Sequence, residues 1–357
     1  MKVVVERPES LSESEFTLWR RLQRSHEELS RPFMSPEFVL AAAAARGDVW
    51  VAVLEDGGGL LGFFPFQRHR EQEGLPPAYG ICSAEGAIAD PQERWDVREL
   101  IRRCQLQSWS FDHLVPSVPF EPHYTRLRNT CFIDVGRGFD QYAREHREAG
   151  SKQIAKLERS AKKLEREVGP IEFMLHSDDP DLLRTLMRWK SAQYRRTRVV
   201  DRFRIPWVVD VIERVHATET GDFAGVLSVL KADGQPVALN LGIRSQSTLE
   251  IWFPTYDREF AGYSPGRVLL LKLAQNATAA GLATLELGRS GAPYKQWLMS
   301  GERPQAVGSV SLYPRPERKR TSERLLRALP GDRVGRVLER RDQRRFWRSL
   351  DPNRSAR

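Results

Sequence analysis

Residues 227–243, LSVLKADGQPVALNLGI, set two apolar runs on either side of Asp233-Gly234. An Asp-Gly pair accepts the positive-φ turn that joins two antiparallel strands at little steric cost, so the stretch predicts a β-hairpin. Residues 50–66, WVAVLEDGGGLLGFFPF, have the same form around Asp56-Gly57. The two hairpins lie too far apart for a solenoid repeat. They predict two related halves, each an α+β unit built on an antiparallel meander.

The flanking sequence fits that frame. Around the first hairpin, 12–29 and 36–46 read as helices, the second opened by Ser35-Pro36 as N-cap and first helical residue. A further helix is expected over 91–107 and a strand running into a loop over 111–120. In Ser151–Val168, the residues Ile154, Leu157, Ala161, Leu164 and Val168 recur at helical spacing with basic residues between them. That helix reads either as a solvated connector or as a basic wall facing an anion. Helices over 180–196 and 206–218 then lead into strands at 223–231, 236–244 and 248–255. Ser264-Pro265-Gly266 opens a helix to about Ala280, Gly281 closes it, and ATLELG (283–288) is a strand.

Composition narrows the class of function. At 357 residues and 40% apolar content the chain can bury two cores of ordinary size. MKVVVERP is too short an apolar run for a signal peptide, and no apolar stretch reaches the length of a membrane span. Cys82, Cys104 and Cys131 lack metal-ligand spacing and read as buried thiols in a reducing cytosol. His113 and His123 read as structural, and no metal is expected. The net charge of +9 lies entirely in residues 315–357, which hold fifteen basic and six acidic side chains. The electrically neutral remainder argues against DNA as a partner and makes tRNA a poor fit. Nucleophile-elbow, Walker and dinucleotide-fingerprint motifs are missing from the sequence.

The stretch YSPGRVLLLKLAQNATAAGLATLELGRSGAPYKQWL (263–298) resembles the GNAT-superfamily branch of FemAB-like and BioF2-like acyltransferases. The matching pieces are Trp252-Phe253, Tyr256-Asp257, Ser264-Pro265-Gly266, Glu286, Gly288/Gly291 and Tyr294-Lys295; the basic helix 151–168 and PFMSPEF (32–38) also look like the family's. Two features depart from its pattern. Of the pyrophosphate signature only Gly266 remains, and the strand acid is Glu286 where Asp is more usual. The resemblance implies two tandem GNAT-like domains with mixed, largely antiparallel sheets. Residues 1–150 would be scaffold and acceptor side, 151–314 the acyl-donor and catalytic domain, and 315–357 a basic amphipathic tail.

It also implies transfer of an acyl group from acyl-CoA to an amino group of a sugar or lipid-linked saccharide in exopolysaccharide or cell-envelope biosynthesis. Glu286 would be the base and Tyr294 the acid for the leaving thiolate. Ser264, Gly266, Arg267 and Lys295 would hold the donor's phosphates, the first three at a helix N-terminus. Asp201, Trp252, Tyr256 and Asp257 would line the acceptor side. Rival readings are an aminoacyl-tRNA-dependent Fem-type ligase and a degenerate regulatory module acting through the tail. The tail's arginines and its Phe346-Trp347 pair suit an anionic membrane surface or a cyclic dinucleotide. The expected place is the cytoplasm, peripheral on the inner membrane.

Overall fold

The computed structural model describes residues 1–57, 59–69, 72–289 and 291–313. The expectations for the tail, 315–357, fall outside the described residues. The first half runs β1 (Lys2–Glu6), α1 (Glu13–Ser25), α2 (Pro36–Ala45), β2 (Val49–Asp56), β3 (Gly59–Arg68), β4 (Glu73–Leu75), α3 (Val97–Arg103), β5 (Ser108–Leu114) and β6 (Tyr124–Asp134). Two helices, α4 (Phe139–Glu148) and α5 (Gln153–Glu167), lead to the second half. It repeats the order: β7 (Ile171–Met174), α6 (Pro180–Arg196), α7 (Pro206–His216), β8 (Phe223–Ala232), β9 (Gln235–Ser245), β10 (Thr248–Tyr256), α8 (Pro265–Asn276), β11 (Thr284–Arg289) and β12 (Gly301–Ser311), with α9 (Pro293–Leu298) added before the last strand.

The two halves share one sheet, in the order β1-β2-β3-β4-β5-β12-β6-β11-β10-β9-β8-β7. This order reads the same from either edge once each half's strands are matched. The two parallel pairings, β4 with β5 and β10 with β11, fall at equivalent places in it. The halves exchange their last strands: β12 pairs with β5, and β6 pairs with β11. The sheet therefore continues across the division at residue 150 through hydrogen-bonded partners. An internal duplication is what the paired Asp-Gly hairpins predict, and β2 pairs antiparallel with β3 as β8 does with β9. At the second, Asp233 and Gly234 take φ of 49° and 71°, as a two-residue hairpin turn requires.

One layer of helices covers each face. On one face α1, α2, α6 and α7 bury Val49, Val51 and Val53 of β2 together with Leu239, Leu241 and Ile243 of β9 in a single core that joins the halves. The sequence PEFVLAAAAA suits α2 to this place, since small residues let it lie close against α7. On the opposite face of the second half, α8 and α5 cover Val226, Val237 and Leu285. The buried stripe of α5 is Ile154, Leu157 and Leu164, and its lysines face solvent. The equivalent face of the first half is filled by Phe64, Phe66, Trp109, Phe111 and Phe120 beneath the short α3. The helices expected over 12–29 and 91–107 are shorter, because Ser12 and Asp96 act as N-caps and chain turns end them at Ser25 and Arg103.

Candidate active site

Parallel strands β10 and β11 share three rungs, Thr248 with Thr284, Leu249 with Leu285 and Glu250 with Glu286, and then part. Beyond Glu250 the side of β10 that had faced β11 has no strand partner. The sequence marks the place. Pro254, which cannot donate to a ladder, stands in β10 beyond the last shared rung, and a bulge between Ile251 and Phe253 bends the strand there. A pocket of about 600 Å³ opens in this region. Its wall includes Lys190 of α6 and Leu269, Leu270 and Leu273 of α8, so helices from both faces of the sheet contribute.

One end of the pocket is the start of α8. Ser264 takes φ of 57° and supplies no side-chain cap; its hydroxyl accepts from Arg267 Nη2 at 2.5 Å. Pro265 has no N–H, and those of Arg267 and Val268 return to the Ser264 carbonyl at 2.9 and 3.1 Å. That leaves the Gly266 N–H at the helix mouth, beneath the Tyr256 ring. A Cβ on Gly266 would lie 3.3 Å from Tyr256 Cδ1, so glycine is what lets the ring lie over the helix start. Ser264, Gly266, Arg267, Tyr256 and Tyr294 all line the pocket, as does Trp297. Burial pushes the Tyr294 phenol above its usual range, so it stays protonated and able to donate.

The other expected residues lie elsewhere. Glu286 is fully buried and does not line the pocket. Its Oε1 accepts from Arg303 Nη1, and its Oε2 lies 3.6 Å from Arg31. Placing a carboxylate in the middle of LATLEL is therefore compensated by arginines. The geometry departs from that expected of a base at the cleft. Lys295 donates to the Arg289 carbonyl at 3.0 Å, away from the α8 mouth, and burial lowers its pKa. Asp201 accepts from Ser191 at 2.8 Å and Arg195 at 3.3 Å, and so ties α6 to the turn that follows it. Trp252 packs edge-on to Phe33 and Phe38 and donates to the Ile81 carbonyl, a core role. Asp257 caps the short turn 258–263 through the Glu259 N–H at 3.0 Å.

Sequence reasoning missed a buried charge network under the pocket floor. Arg31 of the first half donates to Glu250 Oε2 at 2.8 Å, and Ser83 donates to Glu250 Oε1 at 2.5 Å. Arg303 of β12 also reaches Glu27 at 2.6 Å, with its guanidinium 4.2 Å from the Phe132 ring centroid. Burial, with help from Glu286, raises the Glu250 pKa against the pull of Arg31. Burial opposes the charge on Arg31, but Glu250 and Glu286 outweigh it and raise its pKa. Two carboxylates side by side in a dry sheet would repel one another without these cations. A second network joins Glu85, Asp112, His113 and Arg289. Their ligand-type atoms in Glu85, Asp112 and His113 lie within 4.8 Å of one another. Glu85 Oε2 is already occupied by the Asp112 and His113 N–H groups, Asp112 Oδ1 lies 2.5 Å from His113 Nδ1, and Arg289 pairs with Asp112 at 3.3 Å.

The acetyltransferase (GNAT) domain family matches residues 151–296. Curated protein sequences give no match. Among solved structures, FemX covers 87% of this chain and 96% of its own at 10% identity and a TM-score of 0.58. A conserved protein of unknown function from Bacteroides thetaiotaomicron covers 86% and 100% at 8% identity and a TM-score of 0.53. A tandem GNAT protein from the clavulanic acid biosynthesis pathway covers 88% and 99% at 10% identity, with a TM-score of 0.47. At such identities the first two likenesses speak for the fold alone. No helix among the described residues is long and apolar enough to cross a membrane. Residues 151–296 thus match the acetyltransferase (GNAT) domain family, and the chain as a whole shares the fold of FemX.

Proposed function

We propose that the chain transfers an acyl group from acyl-CoA to an amino group of a sugar or lipid-linked saccharide, in the pocket where β10 and β11 part. The observation that carries this reading is the pocket's double wall: α8 opens onto it from one face of the sheet and α6 from the other. The donor's phosphates belong at the mouth of α8, beside the Gly266 N–H and the Arg267 guanidinium, where the helix dipole favours an anion. Its thioester then lies along the free edge of β10, whose unpaired N–H groups are positioned to receive the developing oxyanion. Tyr294 gives its proton to the leaving thiolate. The acceptor amine comes from the α6 side, so the two reactants meet in the gap.

The acceptor class rests on the family resemblance, as does a role in exopolysaccharide or envelope biosynthesis. The basic segment 315–357 is assigned to tethering on an anionic surface near such acceptors. Calorimetric titration of the full chain with CoA tests the donor assignment: saturable binding supports it. Transfer that needs aminoacyl-tRNA and is abolished by ribonuclease would replace it with the ligase reading.

A further inference from the structure

α6 carries an apolar stripe toward the core, Leu183 and Leu186, and the next position on that face is Lys190. An amine on a buried helical face needs a partner or a task. Lys190 is 9% exposed, and its Nζ donates to the Pro254 carbonyl at 2.7 Å, on β10 beyond the last rung shared with β11. Among the described residues no carboxylate lies within ion-pair distance of it. The groups around it are Tyr194 on its own helix, 5.6 Å from Nζ to the ring centroid, Arg202 on the turn after α6, and Lys295 on α9. Tyr256, Arg267 and Tyr294 share its pocket, and Asp201 nearby is engaged by Ser191 and Arg195.

A second observation points to the same spot. Asn240 of β9 is the register partner of Pro254 and lines the pocket. It is 1% exposed, and neither its amide nitrogen nor its amide oxygen has a hydrogen-bond partner. Leaving both ends of a buried amide unpaired forfeits the water bonds it made in the unfolded chain. A ligand that enters the pocket removes that cost. An unpaired amide and an amine without a counter-ion thus flank one proline carbonyl in an otherwise largely apolar wall.

We infer that Lys190 is the proton acceptor of the transfer and that Asn240 orients the reacting amide-forming groups beside it. This inference rests on the acyl-transfer reading above. In the step, the acceptor ammonium gives one proton to the neutral Lys190 amine. The freed amine forms the C–N bond at the thioester carbonyl, and the C–S bond breaks. The second nitrogen proton reaches the departing sulfur by way of the Tyr294 hydroxyl, and Lys190 returns its proton to solvent. Burial, with Arg202 and Lys295 adding to it, lowers the Lys190 pKa to about 7, which leaves a useful neutral fraction at neutral pH.

The test is trace acetylation of the full chain with acetic anhydride between pH 5.5 and 10.5, quantified by peptide mass spectrometry with and without saturating CoA. Lys190 should reach half its limiting reactivity near pH 7, well below the surface lysines of the same digest, and CoA should protect it at least tenfold. Titration alongside the exposed lysines, or no labelling at any pH, overturns the inference. With acetyl-CoA and glucosamine as probes, the acidic limb of kcat/KM should vanish in Lys190→Met, and permanently charged Lys190→Arg should not restore activity. A limb unchanged in both variants also overturns it. CoA binding with an ordinary Lys190 removes this inference alone, whereas failure to bind CoA removes the donor assignment and the base role with it.

Discussion

Glu250 and Glu286 face each other on the last rung that β10 and β11 share, and Arg31, from the other half of the chain, donates to the first and stands 3.6 Å from the second. The pair closes the floor of the gap in which acyl transfer is proposed. It also ties the halves together, since Arg31 precedes α2 and Arg303 lies on the exchanged strand β12.

Glu286→Gln should therefore act first on stability. Removing its charge leaves Arg303 and Arg31 short of a counter-ion in a buried site, a change worth about 3 kcal/mol or more. Urea unfolding should show a lower midpoint with an unchanged slope, and CoA affinity below the transition should match the wild type. A variant as stable as the wild type but slowed 10²-fold or more would return Glu286 to the role of base.

Lys190→Met should change how stability depends on pH. The folded-state pKa of Lys190 lies below its unfolded value, so between about pH 7 and pH 10 the unfolded chain binds more protons than the folded one. Wild-type stability then rises with pH through that window, by at most about 1.4 kcal/mol per unit from this group. Below pH 7 the charged amine is a standing cost, and the methionine variant should be the more stable protein. The difference between the two unfolding curves should shrink from pH 6 to pH 9. A constant difference would mean that Lys190 is charged throughout.

Gly266→Val should weaken CoA binding by roughly tenfold or more, about 1.4 kcal/mol. Its first side-chain carbon already comes within 3.3 Å of the Tyr256 ring, and the added methyl groups would stand over the helix N–H. Calorimetry with equal affinities for both proteins would place the donor elsewhere.

Truncation at Pro316 should abolish co-sedimentation with phosphatidylserine vesicles at low salt, because it removes eight of the nine net positive charges. High salt should release the full-length chain as well. Equal sedimentation of both forms would end the tether assignment.

The duplicated α+β architecture was legible because its signals are local: two Asp-Gly turns, the Ser-Pro-Gly start of α8 and the Gly281 stop each act within a few residues. The strand exchange was not, since β12 and β6 carry no mark of which strand they pair with; register across halves is set by the assembled sheet. Of the residues that line the pocket, Gly266, Arg267 and Tyr294 could be singled out because they follow a helix start and a glycine turn. Lys190 left a signal that went unread, a lysine on the buried stripe Leu183-Leu186-Lys190. Arg31 left none, because its partner Glu250 lies in the other half of the sequence. Glu286 was placed in its strand correctly, but a carboxylate among leucines looks the same in sequence whether a cleft or an arginine receives it.

The most direct test of the acyl-transfer account is mass spectrometry of products formed by the purified full chain with a mixture of acyl-CoA thioesters and amino sugars. The account predicts an N-acylated sugar and free CoA in equal amounts, with Lys190→Met forming both roughly 10²-fold more slowly. Intact thioesters and unmodified sugars, from a folded protein that also fails to bind CoA, would contradict it.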